Sequence, residues 1–275
     1  MGRNPPITSI VMRFGLSSMA ATLVVAGCGG GGEPETSVPS TVPIPVVAPI
    51  ADDPPTGEQV LDQRPVWGGF EATSADPVSL AAYARGELEV FGAPDQPEPT
   101  MTVEEETILG TVTVLGVVTG PVDGWVEVML PTRPNGSTGW LRASEVDFYV
   151  ADSEIVVDLG ARRLTYFVDG VAVLSTEVGV GSKYNQTPIG EFFVTDSVAL
   201  TNPNGPWGPH ALGLSARSET ITGFNGGDGI IGIHGTNNPS SIGGNISLGC
   251  VRLPNEMITL LYEMVPLGTR VLINA

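Results

Sequence analysis

Ile155-Val156-Val157-Asp158-Leu159 and, after a short break, Leu164-Thr165-Tyr166-Phe167-Val168-Asp169-Gly170-Val171-Ala172-Val173-Leu174 decide the fold class. β-Branched and aromatic residues dominate these runs. Asp-Gly between two of them is the signature of a tight hairpin turn. Working outward, further strands are expected at 191–195, 211–215, 229–234, 250–253 and 269–273. One helix is expected near the carboxyl terminus. Asn255 stands where an N-cap belongs, and Ile258, Leu261, Tyr262 and Val265 form an i, i+3, i+4, i+7 stripe that Pro266 and Gly268 terminate. Residues 152–275 therefore read as a mainly β domain with a single helix.

Upstream, residues 80–149 change style to short strands separated by Gly-rich turns. Candidates are 88–91, the Val/Thr/Leu-rich stretch 107–119 broken at Gly110 and Gly116, the alternating run 124–130, and 138–142 after a Pro134-Asn135-Gly136 turn. Such a pattern suggests a small barrel. The stretch from Gly124 to Val146 resembles bacterial SH3-like domains that accompany wall enzymes, most closely where Ala143-Ser144-Glu145-Val146 follows Trp140. Trp125 and Trp140 read as core or rim residues of that unit. The resemblance implies a part that binds the wall or positions the domain after it.

The amino terminus reads as an export signal. Residues 1–13 carry Arg3 and Arg13 and no acid, and residues 14–26 are largely apolar, too short a run to span a bilayer. The run ends Leu23-Val24-Val25-Ala26-Gly27-Cys28. This resembles the bacterial lipoprotein signal, which implies removal of residues 1–27 and lipidation of Cys28. Acyl chains at ~0.8 kcal/mol per buried CH₂ would make that anchor lasting. The expected location is extracytoplasmic, lipid-anchored to the cell membrane and facing the cell wall. Residues 28–79 are expected to be an acidic linker. Positions 29–57 hold seven prolines and five glycines and no basic group. A segment of that composition buries too little surface to offset its ordering entropy. Its reach is roughly 30 Å as a coil and at most about 90 Å as polyproline II.

Composition removes several function classes. Lys+Arg 12 against Asp+Glu 30 leaves a net charge of −18, opposite to the footprint of a nucleic-acid binder. Two cysteines allow at most one disulfide, and two histidines make no His-rich metal site. Lys183 is the sole lysine, and the Ser that a Ser-x-x-Lys acyl-enzyme needs at position 180 is Val180. Neither metal nor organic cofactor is expected.

His234 and Cys250 stand out together. Alternation in 229–234 puts Ile231 and Ile233 on one face and Gly232 and His234 on the other. In 250–253 it pairs Cys250 with Arg252 and sends Val251 and Leu253 inward. His234 is thus expected to look outward over a Gly face, and the intervening 15-residue loop permits the two ends to meet. A thiol with a pKa near 8.5 needs a base or a positive field to attack at neutral pH, which His234 and Arg252 would supply. Attack on an amide makes an oxyanion, for which the amides of Gly249 and Cys250 are candidates. Ser247 is a candidate to orient His234 through its carbonyl or hydroxyl. A buried apolar-like cysteine and a structural histidine remain alternatives at this level.

The same residues carry a family resemblance. His234-Gly235-Thr236-Asn237-Asn238, Ser247-Leu248-Gly249-Cys250-Val251-Arg252-Leu253 and Thr187-Pro188-Ile189-Gly190-Glu191-Phe192 resemble the L,D-transpeptidase catalytic domain, over about 152–275. The resemblance implies a β-sandwich-like domain that takes an acyl group from a tetrapeptide stem of peptidoglycan and forms 3→3 cross-links. Cys250 would be the nucleophile and His234 the acid/base, with Ser247, Gly249 and Arg252 lining the site. Gly235, Thr236, Tyr184, Trp207 and Asn225 would contact substrate. Many members have a second His where this chain has Leu248, so the base role falls on His234; His210 is expected to be structural or to touch substrate. Carbapenem-type β-lactams are the expected inhibitors. An L,D-carboxypeptidase and a non-catalytic wall-binding lipoprotein are the alternatives.

Overall fold

The computed structural model describes residues 79–223 and 227–275, all within one compact unit. The expected signal, Cys28, nearly all of the linker and Asn225 lie outside the described residues.

The first part is β1 (Ser79–Ala84), β2 (Leu88–Val90), β3 (Met101–Val103), β4 (Val114–Val122), β5 (Trp125–Met129), β6 (Thr138–Arg142) and β7 (Val146–Ala151). Five of these strands form an antiparallel sheet in the order β6-β5-β4-β1-β7, and β2 pairs with β3. Backbone bonds between Phe91 and Trp140 fasten the β2 end to β6. Trp125 packs edge-on against Phe91 and is nearly buried, with the Arg142 guanidinium over both rings. Trp125 is thus a core-edge residue.

The second part is β8 (Ser153–Asp158), β9 (Arg163–Val168), β10 (Val171–Glu177), β11 (Val180–Gly181), β12 (Gly190–Ala199), β13 (His210–Arg217), β14 (Ile230–His234), β15 (Asn245–Ser247), β16 (Val251–Arg252), helix α1 (Asn255–Met264) and β17 (Arg270–Asn274). Eight strands make one sheet in the order β10-β9-β8-β17-β12-β13-β14-β16, and β11 pairs with β15. Asp169 and Gly170 both have positive φ, at 50° and 72°, the conformation a two-residue hairpin turn between β9 and β10 requires. Ile258 and Leu261 of α1 are fully buried against the sheet core. Asn255 does not cap the helix through its side chain; Pro254 holds the cap position, and the Asn255 carboxamide turns elsewhere, as described below.

One strand feeds the cores of both sheets. Phe192 and Phe193 are adjacent on β12, so their side chains leave on opposite faces. Phe192 enters the core of the eight-stranded sheet, while Phe193, 1% exposed, enters the core of the first part. Gly116 of β4 leaves room for that ring: a Cβ there would lie 3.0 Å from it. Tyr83 Oη donates to the Leu267 carbonyl across the same boundary, and Thr107 Oγ1 donates to Asp196 Oδ1 at 2.5 Å.

Candidate active site

β14 and β16 run parallel, with Ile233 beside Val251 and His234 beside Arg252. Parallel strands must be joined by a crossover, and residues 235–250 supply it. Residues side by side in a ladder project to the same face, so this register groups Gly232, His234, Cys250 and Arg252 on one face. Ile231, Ile233, Val251 and Leu253 take the other face and are buried in the core. His234 and Cys250 are diagonal neighbours across this ladder. The Gly232 N–H donates to Cys250 Sγ at 3.4 Å, which fixes the half-buried sulfur against β14.

His234 does not look outward. It is 4% exposed, because Trp207 stacks on its ring at 4.9 Å with the planes 18° apart. Two glycines make this cover possible. Gly208, with φ of +68°, and Gly235 approach so closely that a Cβ on Gly208 would lie 2.7 Å from the Gly235 Cα. Asn255 Oδ1 closes the junction by accepting the Thr236 N–H at 2.8 Å. Asn255 is a site-framing residue that its place at the start of a helix disguised as a cap.

The protonation states follow from these contacts. His234 Nδ1 lies 2.6 Å from the Gly235 carbonyl, which can only accept, so Nδ1 carries the proton and Nε2 is left to accept one. Burial lowers the His234 pKa to about 4, assisted by the Arg252 charge and opposed by the Gly235 carbonyl. Burial raises the Cys250 thiol, opposed by the Gly232 N–H and by Arg252. Near pH 7 the pair is therefore a neutral imidazole and a neutral thiol. Arg252 is half-buried, and its Nε has no hydrogen-bond partner among the described residues.

The loop before Cys250 is held differently from the expectation. Ser247 Oγ donates to the Cys250 carbonyl at 2.6 Å and accepts the Gly249 N–H at 3.1 Å, while the Ser247 carbonyl accepts from Ser182 N–H. Ser247 thus braces the nucleophile's own loop, and the Gly249 amide is engaged with the Ser247 hydroxyl. Gly249 has φ of +121°, and a Cβ there would meet Ile231 Cδ1 at 2.9 Å, so only glycine fits. Thr187 carries a role the sequence did not reveal. Its hydroxyl donates to the Gly249 carbonyl at 2.8 Å and accepts the Gly181 N–H at 2.9 Å.

The remaining candidates divide. Gly235 and Thr236 are buried rather than on the substrate surface; the Thr236 hydroxyl accepts the Asn238 N–H at 3.0 Å, so both residues build the frame under His234. Tyr184 is 73% exposed and edges a cleft of about 340 Å³ with Lys183, Gln186, Thr187, Glu219 and Thr220. His210 stacks on Tyr262 of α1 at 4.1 Å, and its Nδ1 lies 3.1 Å from Thr259 Oγ1, so it fastens the helix to β13. Among the described residues no group of three or more His, Cys, Asp or Glu could hold a metal ion.

Comparison with known proteins identifies the second part of the chain. The family model YkuD, the L,D-transpeptidase catalytic domain, matches residues 152–273. A Bacillus subtilis (strain 168) protein named as the L,D-transpeptidase YkuD is 38% identical over 128 residues, 46% of this chain and 70% of that protein. The chain belongs to the L,D-transpeptidase family. A second B. subtilis member, named as YqjB, is 32% identical over 134 residues, 45% of this chain and 72% of its own length. The match to a Bacillus licheniformis protein named as YkuD, at 40% identity, spans 44% of this chain and 64% of that protein. An L,D-transpeptidase structure from Mycobacterium tuberculosis H37Rv aligns at a TM-score of 0.40 and 15% identity, covering 59% of this chain and 90% of that one. A score this low adds nothing to the sequence relationship.

Proposed function

We propose that this L,D-transpeptidase works through a Cys250 acyl-enzyme, with His234 as acid and base, on peptidoglycan stem peptides. The observation that carries the reading is one face, where an imidazole with an accepting Nε2 and an arginine pair across β14 and β16 and the thiol just before β16 accepts the Gly232 N–H. As Sγ attacks the amide carbonyl before the terminal D-Ala, its proton passes to His234 Nε2. The oxyanion takes the Cys250 N–H, the amide nearest the attacking sulfur once Gly249 N–H is engaged with Ser247. Collapse breaks the C–N bond, and His234 returns the proton to the departing amine. An acceptor amine then attacks the thioester, gives its proton to His234, and frees the thiol, leaving a 3→3 cross-link. Both resting groups are neutral, so each transfer proceeds without a preformed ion pair.

Arg252 is the charge we assign to the donor stem's carboxylate, since its Nε is unpartnered and it borders both reacting groups. Carbapenem-type β-lactams would acylate the same sulfur. The amino-terminal pattern favours a chain anchored through a lipid on Cys28 and facing the wall from outside the cytoplasm. Product masses after incubation with disaccharide-tetrapeptide test the reading. A Cys250-dependent dimer lacking one Ala is expected. Tripeptide plus free Ala without dimer would make the enzyme a carboxypeptidase, with water in place of the amine.

A further inference from the structure

The turn between β5 and β6 leaves its own sheet and grips the second one. Asn135 binds the end of β13 as a strand neighbour would: its Nδ2–H donates to the Arg217 carbonyl and its Oδ1 accepts the Arg217 N–H, both at 2.8 Å. Arg133 reaches further along the chain. Its Nε–H donates to the Ser218 carbonyl at 3.0 Å, and one terminal amine donates to the carbonyls of Ile221, at 3.1 Å, and Asp228. Arg217 pairs with Asp228 at 2.8 Å beneath this clamp. Gly229, with φ of +77°, lets the guanidinium pass: a Cβ there would lie 2.8 Å from it.

The clamped segment lines the cleft that Thr187 also lines. Glu219 and Thr220 form one wall of the cleft whose other wall holds Tyr184 and Thr187. Thr220 Oγ1 donates to Asn185 Oδ1 at 2.9 Å, joining the two walls at one end. Thr187 is the residue that fixes the Gly249 carbonyl beside the nucleophile. Residues 218–221 belong to no strand; the Ser218 N–H donates to the Gly229 carbonyl and the Ser218 hydroxyl accepts from the Ile221 N–H, and Arg133 adds the bonds that tie this turn to the first sheet.

We propose that Arg133 and Asn135 are positioning residues for acyl transfer, through which the first sheet holds the cleft wall at Glu219 and Thr220 where the stem peptide binds. This rests on the reading of Cys250 as the nucleophile given above. It assigns the first part a role in substrate affinity. A lysine cannot replace Arg133, because one ammonium on a flexible stem does not reproduce a fork directed at three carbonyls.

The test uses the full chain with Arg133→Ala, Arg133→Lys and Asn135→Asp. Hydrogen–deuterium exchange at residues 217–221 should rise about tenfold in all three as the clamp's hydrogen bonds are lost. KM for the tetrapeptide donor should rise about tenfold, while kcat and the pH profile of Cys250 alkylation stay within about twofold. Should Arg133→Ala fail to fold, Asn135→Asp, which keeps the guanidinium and the side-chain shape, decides. Unchanged KM in a folded variant overturns the proposal, whether or not exchange rises. An equal loss of kcat with a shifted alkylation profile also overturns it, because the turn would then act on the nucleophile. A wild-type chain without any transfer, in which exchange still responds as expected, refutes the function proposed above and leaves only a structural clamp.

Discussion

Acidification should unfold this protein partly through one residue. His234 is buried neutral under Trp207, and its pKa falls from an ordinary 6.5 to about 4 on folding. Between those values the unfolded chain binds a proton that the folded chain refuses. Stability from this residue is therefore complete above pH 6.5 and declines as pH falls toward 4. The 2.5-unit gap corresponds to about 3 kcal/mol at pH 4, with a slope near 1.4 kcal/mol per pH unit in between. That is a large fraction of an ordinary domain's stability. Acidic side chains titrate in the same range, so the isolating perturbation is His234→Gln, which keeps a polar group of similar size without the titration. Urea unfolding followed by tryptophan fluorescence, at half-unit steps from pH 8 to pH 4, gives both curves. Their difference should be flat above pH 7 and should move by about 3 kcal/mol in favour of the glutamine variant on reaching pH 4. Parallel curves over that range would refute the buried neutral imidazole and the protonation states built on it.

Three further outcomes follow from the same contacts. Trp207→Ala should uncover His234 and move the acid limb of the acylation rate upward from about pH 4 toward 6.5, as read from a pH–rate profile. Thr187→Val removes a buried hydroxyl that satisfies both Gly181 N–H and the Gly249 carbonyl, and should lower kcat more than it changes KM in steady-state assays, with about 1–3 kcal/mol lost in urea unfolding. Phe193→Ala should cost about 3–5 kcal/mol and loosen the first sheet, although the residue stands on a strand of the second; exchange at β1 and β4 checks this.

The sequence was most readable where one short-range rule acted alone. The Asp169-Gly170 turn, the buried stripe of α1 and the apolar faces of β14 and β16 each follow from local pattern, and so does the grouping of His234 with Gly232 and Cys250 with Arg252. What local pattern does not contain is which loops close over a face. The burial of His234 depends on Gly208 and Gly235 meeting across a gap of many residues, so alternation alone left the imidazole exposed. Ser247 has two nearby partners within its own loop, and these short-range bonds displaced the long-range one expected to His234. Asn255 resembled a cap because its position and type fit, yet a neighbouring loop offered its carboxamide the Thr236 N–H. Phe192 and Phe193 read as one apolar pair, and only the presence of a second sheet shows that they serve two cores.

The central claim is covalent, and intact-protein mass tests it most directly. The protein should be mixed with excess tetrapeptide donor, quenched in acid within seconds, and weighed beside a Cys250→Ala variant. The account predicts a mass increase equal to the donor minus one Ala, mapped by digestion to Cys250 and absent from the variant. Product formed with no such adduct at any quench time, or an adduct that persists in Cys250→Ala, would contradict it.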